Sequence, residues 1–133
     1  MKGRSDDPSI LDPDPLWRRI HPLQVVPDGR GGSRVSSAAM TDSSDGTGMS
    51  VTLGREAQAA GVTPALALSR HPGLGLASLL AGECRRQSQI LARDPTPDDP
   101  HHALVEGEKP KAVQRALARA ATLLVWPPPS SDP

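Results

Sequence analysis

The chain has 133 residues, which fits one domain, and its 15 Lys and Arg residues balance its 15 Asp and Glu residues. No apolar run approaches the ~18 residues of a membrane span, and four aspartates occupy the first 16 residues, where a secretory signal has its apolar segment. One cysteine excludes a disulfide scaffold, and the lack of any Phe or Tyr argues against a base-stacking surface for nucleic acid. We therefore expect a cytoplasmic single domain.

Both ends of the chain have the composition of tails. Residues 1–15 contain three prolines and charges of both signs, and Ile10 and Leu11 are their only large apolar residues after the initial Met. Residues 127–133 contain four prolines. Neither segment offers enough apolar area to offset an ordering entropy of ~1–2 kcal/mol per residue. The sequence predicts disordered tails at 1–15 and 127–133 around one domain at 16–126.

Strand patterns dominate the first half of that domain. Residues 17–20 and 24–26 are short extended segments, and residues 34–40 form a weak strand of small side chains. Residues 49–53 are the clearest strand, because apolar and hydroxyl side chains alternate. An Asp-Gly turn dipeptide lies between the last two strands, so we expect residues 34–53 to form a hairpin with a long loop.

Helical patterns appear further along the chain. Residues 55–60 precede a glycine C-cap, and residues 63–69 open with a Thr-Pro cap. A short strand follows at 102–105. Residues 111–125 form the most amphipathic helix, with Val113, Leu117 and Leu124 on the face that we expect to dock on the sheet.

The segment 73–93 has two interpretations. A single helix would place polar side chains inside its apolar stripe, whereas Leu and Ala favour helix throughout. Division into a strand or short helix at 76–81, a polar helix at 82–87 and a strand at 89–93 removes that conflict. In either case the chain reads as an α+β fold, a small sheet of short strands covered by a C-terminal amphipathic helix.

One acidic loop contains residue types that bind metals. Five potential ligands occur within nine residues: Asp94, Asp98, Asp99, His101 and His102. A metal site needs side chains that converge at ~2 Å, and adjacent histidines in a strand point to opposite faces. We interpret the segment as a solvated acidic loop, keep its last four ligands as metal candidates, and expect no cofactor.

Basic residues form a pair at Arg85-Arg86 and a stripe at Lys111, Arg115 and Arg119. Such a stripe at i, i+4 and i+8 is typical of a solvated helix face. Alternatively, the stripe contacts the phosphates of a nucleic acid. The zero net charge of the chain argues against strong binding of this kind.

Arginines, serines and glutamates follow one another along the chain in an order that is found in one class of enzyme. The candidate residues are Arg18, Arg19, Ser36, Ser37, Glu83 and Glu106. This order resembles that of site residues in ADP-ribosyltransferase-like folds. The resemblance implies that an arginine binds the phosphate on the nicotinamide side, that the serine strand shapes the pocket and that a glutamate orients the ribose. The aromatic residue that stacks on nicotinamide in such folds has no Phe or Tyr counterpart here.

Four segments resemble a group of small uncharacterised bacterial proteins: residues 16–22, 34–40, 49–51 and 94–103. The resemblance spans residues 16–126, implies an independent bacterial domain and brings no activity or site residues with it. Since no nucleophile–base pair or carboxylate dyad stands out, we expect a protein that acts by binding a protein partner, away from membranes. A small enzyme is the alternative, and weak nucleic-acid binding is the third hypothesis.

Overall fold

A computed structural model describes residues 5–128 of the chain. The first half contains β1 (Pro15–Ile20), β2 (Val25–Pro27), β3 (Ser33–Val35), β4 (Met49–Leu53), α1 (Gly54–Ala59) and α2 (Pro64–Ala67). The second half contains β5 (Gly75–Leu80), α3 (Ala81–Arg86), β6 (Ile90–Arg93), β7 (His102–Glu106), α4 (Lys111–Ala120) and β8 (Thr122–Val125).

Six of the strands form one antiparallel sheet, in the order β6-β7-β4-β1-β5-β8, and β2 pairs with β3 in a separate ribbon. The α+β class predicted from the sequence is confirmed. Within residues 5–128, no helix combines the length and the apolar character that crossing a membrane requires.

The two faces of the sheet carry separate apolar clusters. Leu16 lies opposite Leu53 on one neighbouring strand and Leu79 on the other, and all three belong to the main core. Trp17 points to the opposite face and packs with Ala57 of α1 in a smaller cluster. Gly54 permits this packing, because a Cβ at that position would lie 2.5 Å from Nε1 of Trp17. Helices α1 and α2 therefore lie on the Trp17 face.

The segment 73–93 divides into strand, helix and strand, and the single-helix alternative is wrong. Gly75 opens β5, where a Cβ would lie 2.5 Å from the carbonyl oxygen of Val125. The glycine thus allows β8 to pair closely with β5.

The predicted hairpin over residues 34–53 does not form. β3 pairs with β2, whereas β4 lies between β1 and β7. The predicted strand at 34–40 ends after Val35 because Ser36 turns the chain: its Oγ accepts the Ala38 N–H at 3.2 Å, and Ser37–Ala39 is a 3-10 turn.

The C-terminal helix is shorter than predicted. α4 ends at Ala120, and the four residues of β8 pair with β5 instead of continuing the helix. Thr122 and Val125 are β-branched and favour this strand. Leu117 is fully buried in the main core, and α4 packs chiefly against the 3-10 turn at Ser37–Ala39. Leu124, predicted to dock on the sheet, is 44% exposed.

Residues 5–14 pack against the domain, whereas the sequence predicts a disordered tail there. Ile10 is 1% exposed and belongs to the main core. The Asp7 N–H donates to the Leu91 carbonyl oxygen at 2.8 Å, and the Leu91 N–H donates to Oδ1 of Asp6 at 3.0 Å. This strap, as we call residues 5–14, covers the free edge of β6. Residues 1–4 of the predicted N-terminal tail and residues 129–133 of the predicted C-terminal tail lie outside the described residues.

Arginines hold the strap in place. Arg93 lies between Asp7 (Nε–Oδ2, 3.0 Å) and Glu56 (Nη2–Oε2, 2.6 Å). Arg55 contacts Asp14 at 2.9 Å. Arg85 contacts two further strap aspartates, Asp6 at 3.2 Å and Asp12 at 2.7 Å.

We expect the strap to weaken in acid. The hydrogen bond from Ser9 and the charge of Arg93 lower the pKa of Asp7, and the hydrogen bond from Arg93 lowers the pKa of Glu56. Carboxyl groups with a lowered folded-state pKa stabilise the fold above their unfolded pKa, and that stability is lost as the pH falls through the folded value. The protection of the Leu91 amide against hydrogen exchange, relative to its intrinsic rate at each pH, should therefore fall below about pH 4. Equal protection of Leu91 at pH 3 and pH 7 would contradict this expectation.

Candidate functional site

The two adjacent arginines of β1 have different environments. Arg18 donates three hydrogen bonds to backbone carbonyl oxygens, those of Ala39 (3.0 Å), Ser50 (2.9 Å) and Thr41 (3.3 Å). Burial lowers the pKa of Arg18 to about 10. Its guanidinium therefore ties β1 to β4 and to the 3-10 turn. Arg19 points to the Trp17 face instead and lines a cleft.

The other predicted enzyme residues lie elsewhere. Ser36 caps the 3-10 turn and Ser37 belongs to it. Glu83 pairs with Arg86 of its own helix at 3.0 Å, and Glu106 ends β7. None of these four lines the Arg19 cleft. The arginine–serine–glutamate order of the sequence therefore does not gather around this cleft.

The Arg19 cleft is an open cavity of about 520 Å3 on the Trp17 face. One wall is apolar and comes from α1, α2 and the turn between them: Ala57, Val62, Leu66 and Ala67. The other lining residues are mostly polar or charged: Arg19, Thr52, Ser69, Arg70, His71, Asp98, Asp99, Pro100 and His101. Cavities with one apolar wall and a few convergent polar groups are typical ligand sites.

The cleft is lined by two arginines, Arg19 and Arg70, and two aspartates, Asp98 and Asp99. Within residues 5–128 the side chain of Arg19 makes no hydrogen bond or ion pair, although it is half-buried. Burial lowers the pKa of His71, the positive charge of Arg19 lowers it further, and Asp99 opposes the shift. Arg70, the other cation of the cleft, stands 3.9 Å from the exposed Asp98.

The predicted metal residues separate. His101 lines the cleft with Asp98 and Asp99, whereas His102 turns away, with Nδ1 at 3.0 Å from both the carbonyl oxygen and Oδ2 of Asp94. The two adjacent histidines therefore do not share the cleft. Among the described residues, no three His, Cys, Asp or Glu side chains are placed to hold a metal ion.

A second concave surface lies beside the last strand. This Trp126 groove, of about 460 Å3, runs between β3, the end of α4 and β8. Trp126 is 59% exposed at the groove, and Arg34 and Arg119 supply its charge. No acidic side chain lines it. Arg119 makes no hydrogen bond or ion pair within the described part of the chain.

Basic residues of α4 extend the charge of the groove. Lys111, Arg115 and Arg119 are exposed at intervals of four residues, and α4 contains no acidic residue. Of the basic pair noted in the sequence, Arg85 is engaged by Asp6 and Asp12 of the strap, and Arg86 pairs with Glu83 of its own helix. The basic stripe of α4 meets the Trp126 groove at Arg119.

Two of these residues were missed by sequence reasoning. His71 precedes a proline and reads as a turn, and Trp126 precedes the proline tail and reads as a helix end. No local signal marks either one, because the cleft and the groove form only when distant segments meet. No protein-family model, curated protein or solved structure matches the chain.

Proposed function

We propose that the protein acts by binding a protein partner, and that the Trp126 groove receives an acidic segment of that partner. The observation that carries the proposal is the exposed indole of Trp126 beside two arginines in a groove without acidic side chains. Tryptophan and arginine are the residues most enriched among those that dominate binding energy at interfaces. An apolar side chain of the partner packs on Trp126, while its carboxylates face Arg34 and Arg119.

The partner engages side chains and not the strand edge. Leu76 pairs with Val125 while the next residue, Ala77, pairs with Leu123, so Leu124 is an extra residue in a β-bulge. A bulge and the following Pro127 disfavour the addition of another strand to β8. At the opposite side of the sheet, the strap occupies the edge of β6.

Two alternatives remain as competing proposals. A small enzyme of ADP-ribosyltransferase type requires an arginine, a serine and a glutamate around one cavity. The cleft that contains Arg19 has no glutamate in its lining, and its serine is Ser69 and not Ser36 or Ser37. Weak nucleic-acid binding would use the basic residues of α4. A single exposed tryptophan supplies one stacking platform, whereas single-stranded nucleic acid is usually held by several.

A bacterial source and a cytoplasmic location are also part of the proposal. A bacterial source rests on the resemblance of residues 16–126 to small bacterial proteins. A cytoplasmic location is consistent with Cys84, a buried thiol that needs no oxidising compartment. Burial raises the pKa of this thiol to about 12, so it stays protonated and structural.

An NMR titration with a synthetic acidic peptide tests the groove. The peptide has one leucine flanked by aspartates and glutamates, and it is added to millimolar concentration. We expect chemical-shift changes at the Trp126 indole and the Arg34 amide, because one rim ion pair and one apolar contact suffice for weak binding. Arg119→Glu, which replaces attraction by repulsion, should weaken binding about tenfold.

Arg86→Glu is the matched control, since Arg86 is equally cationic and exposed but lies on α3. It should bind the peptide like the parent. Two results would overturn the proposal: shift changes confined to the Arg19 cleft, or tighter binding of a dodecamer of deoxythymidine than of the peptide.

A further inference from the structure

We propose that the Arg19 cleft is a separate binding site for a small organic anion, a carboxylate or a phosphate monoester. Arg19 contacts the oxyanion, and the apolar wall of the cleft receives the hydrocarbon part of the ligand. The inference is independent of the Trp126 groove, because the cleft and the groove share no lining residue.

The first argument is the isolation of Arg19. Seven of the described arginines and lysines donate to a carboxylate or a carbonyl oxygen, whereas Arg19 does neither within residues 5–128 while being half-buried. Its neighbour Arg18 shows how the fold satisfies a guanidinium that it uses for structure, through three carbonyl oxygens. A guanidinium left with free donors in a concave site matches the planar geometry of a carboxylate or a phosphate.

The second argument is the chemistry around Arg19. Thr52 of β4 and Ser69 offer hydroxyl groups, and His71 offers a ring nitrogen. Val62 and Leu66 add an apolar surface that a purely ionic ligand would leave uncovered. The cleft volume of about 520 Å3 lies within the ~300–1,000 Å3 range of small-molecule sites.

The third argument is the electrostatic link between Arg19 and His71. Charged groups face His71 from three sides: Arg19 from β1, Arg70 beside it, and Asp98 and Asp99 with His101 from the loop before β7. After burial, the charge of Arg19 is the main influence that lowers the pKa of His71. An anion on Arg19 offsets that charge, so binding favours protonation of His71. By linkage, the affinity for the anion must rise as the pH falls through the pKa of His71.

An NMR titration of the full chain with benzoate tests the site, since benzoate stays charged from about pH 5.5 to 8. We expect shift changes at His71 and Thr52, a higher pKa of His71 when the cleft is saturated, and about threefold tighter binding at pH 5.5 than at pH 8. Phenyl phosphate is the second ligand, and whichever of the two binds more tightly identifies the oxyanion. Phenol is the neutral control.

Variants separate the role of Arg19 from a structural one. Arg19→Gln should weaken benzoate binding about tenfold or more and cancel the ligand-induced change in the pKa of His71. Arg19→Lys keeps the charge and should restore part of the affinity, and it serves as the test if the Gln variant does not fold. His71→Asn should bind benzoate with a smaller pH dependence than the parent, because His101 is then the one imidazole left in the cleft lining. Arg86→Gln and Arg119→Glu should bind benzoate like the parent. A negative result for peptide binding at the Trp126 groove therefore does not affect this test.

Equal affinity for phenol and benzoate would show that the cleft selects apolar ligands without regard to charge, and would overturn the inference. Unchanged benzoate binding by folded Arg19→Gln would do the same.

Discussion

Leu117→Asp should abolish folding of the protein. Leu117 is 0% exposed and lies in the main core cluster, where α4 packs on the 3-10 turn at Ser37–Ala39. Removing a buried leucine side chain alone costs ~2–5 kcal/mol, and a carboxylate in its place adds the cost of burying a charge. A domain of this size has only ~5–15 kcal/mol of stability in total. Circular dichroism should show no cooperative melting transition for this variant.

Arg115→Ala and Arg119→Ala are the controls for the helix. Both side chains are exposed on α4, and surface truncations of this kind change stability by about 0.5 kcal/mol or less. Their melting curves should overlay that of the parent. A parent-like melt of Leu117→Asp would mean that α4 does not belong to the core, and its apolar face would then be free to dock on another protein.

The same helix shows what local sequence patterns predict well. The apolar period over residues 111–125 predicts a helix that buries Leu117, and the alternation at 49–53 predicts β4 to the residue. For residues 73–93, the structure has the divided alternative, which keeps polar side chains out of an apolar helix face. Each of these features depends on residues that are close together in the sequence.

Features that depend on distant partners were predicted less well. A hairpin over 34–53 was the natural local solution, but β4 finds its partners in β1 and β7, which lie far from it in sequence. The end of α4 was missed because β8 forms only through pairing with β5. Apolar periodicity at 121–125 suits a helix or a strand, and the available sheet edge decides between them.

The candidate site also combines features that the sequence predicts with features that depend on distant parts of the chain. In the sequence, Arg19 is a candidate for anion binding in an enzyme site, and Asp98, Asp99 and His101 are candidates for metal binding. The fold brings all four to one cleft together with His71. The residue types were therefore recognisable in the sequence, but their common location required the order of strands in the sheet.

Ile10→Asp should be about as destructive as a change in the centre of the sheet, although the sequence places Ile10 in a tail. Ile10 is 1% exposed in the main core, and its strap supplies hydrogen bonds to Leu91 on the edge of β6. Loss of the buried side chain and insertion of a charge should destabilise the fold by about 3 kcal/mol or more. Chemical denaturation measures this directly, and limited proteolysis should cut the released strap within residues 5–14.

Leu11→Asp is the matched control, because it introduces the same charge one residue further along the strap. Leu11 is 52% exposed, so its replacement should change stability by about 0.5 kcal/mol or less and leave the strap protected from protease. A disordered tail predicts that both variants behave like the parent, whereas a docked strap predicts that only Ile10→Asp is destabilised. If the two variants unfold at the same denaturant concentration as the parent, the strap contributes nothing to the core, and the edge of β6 is open to a partner.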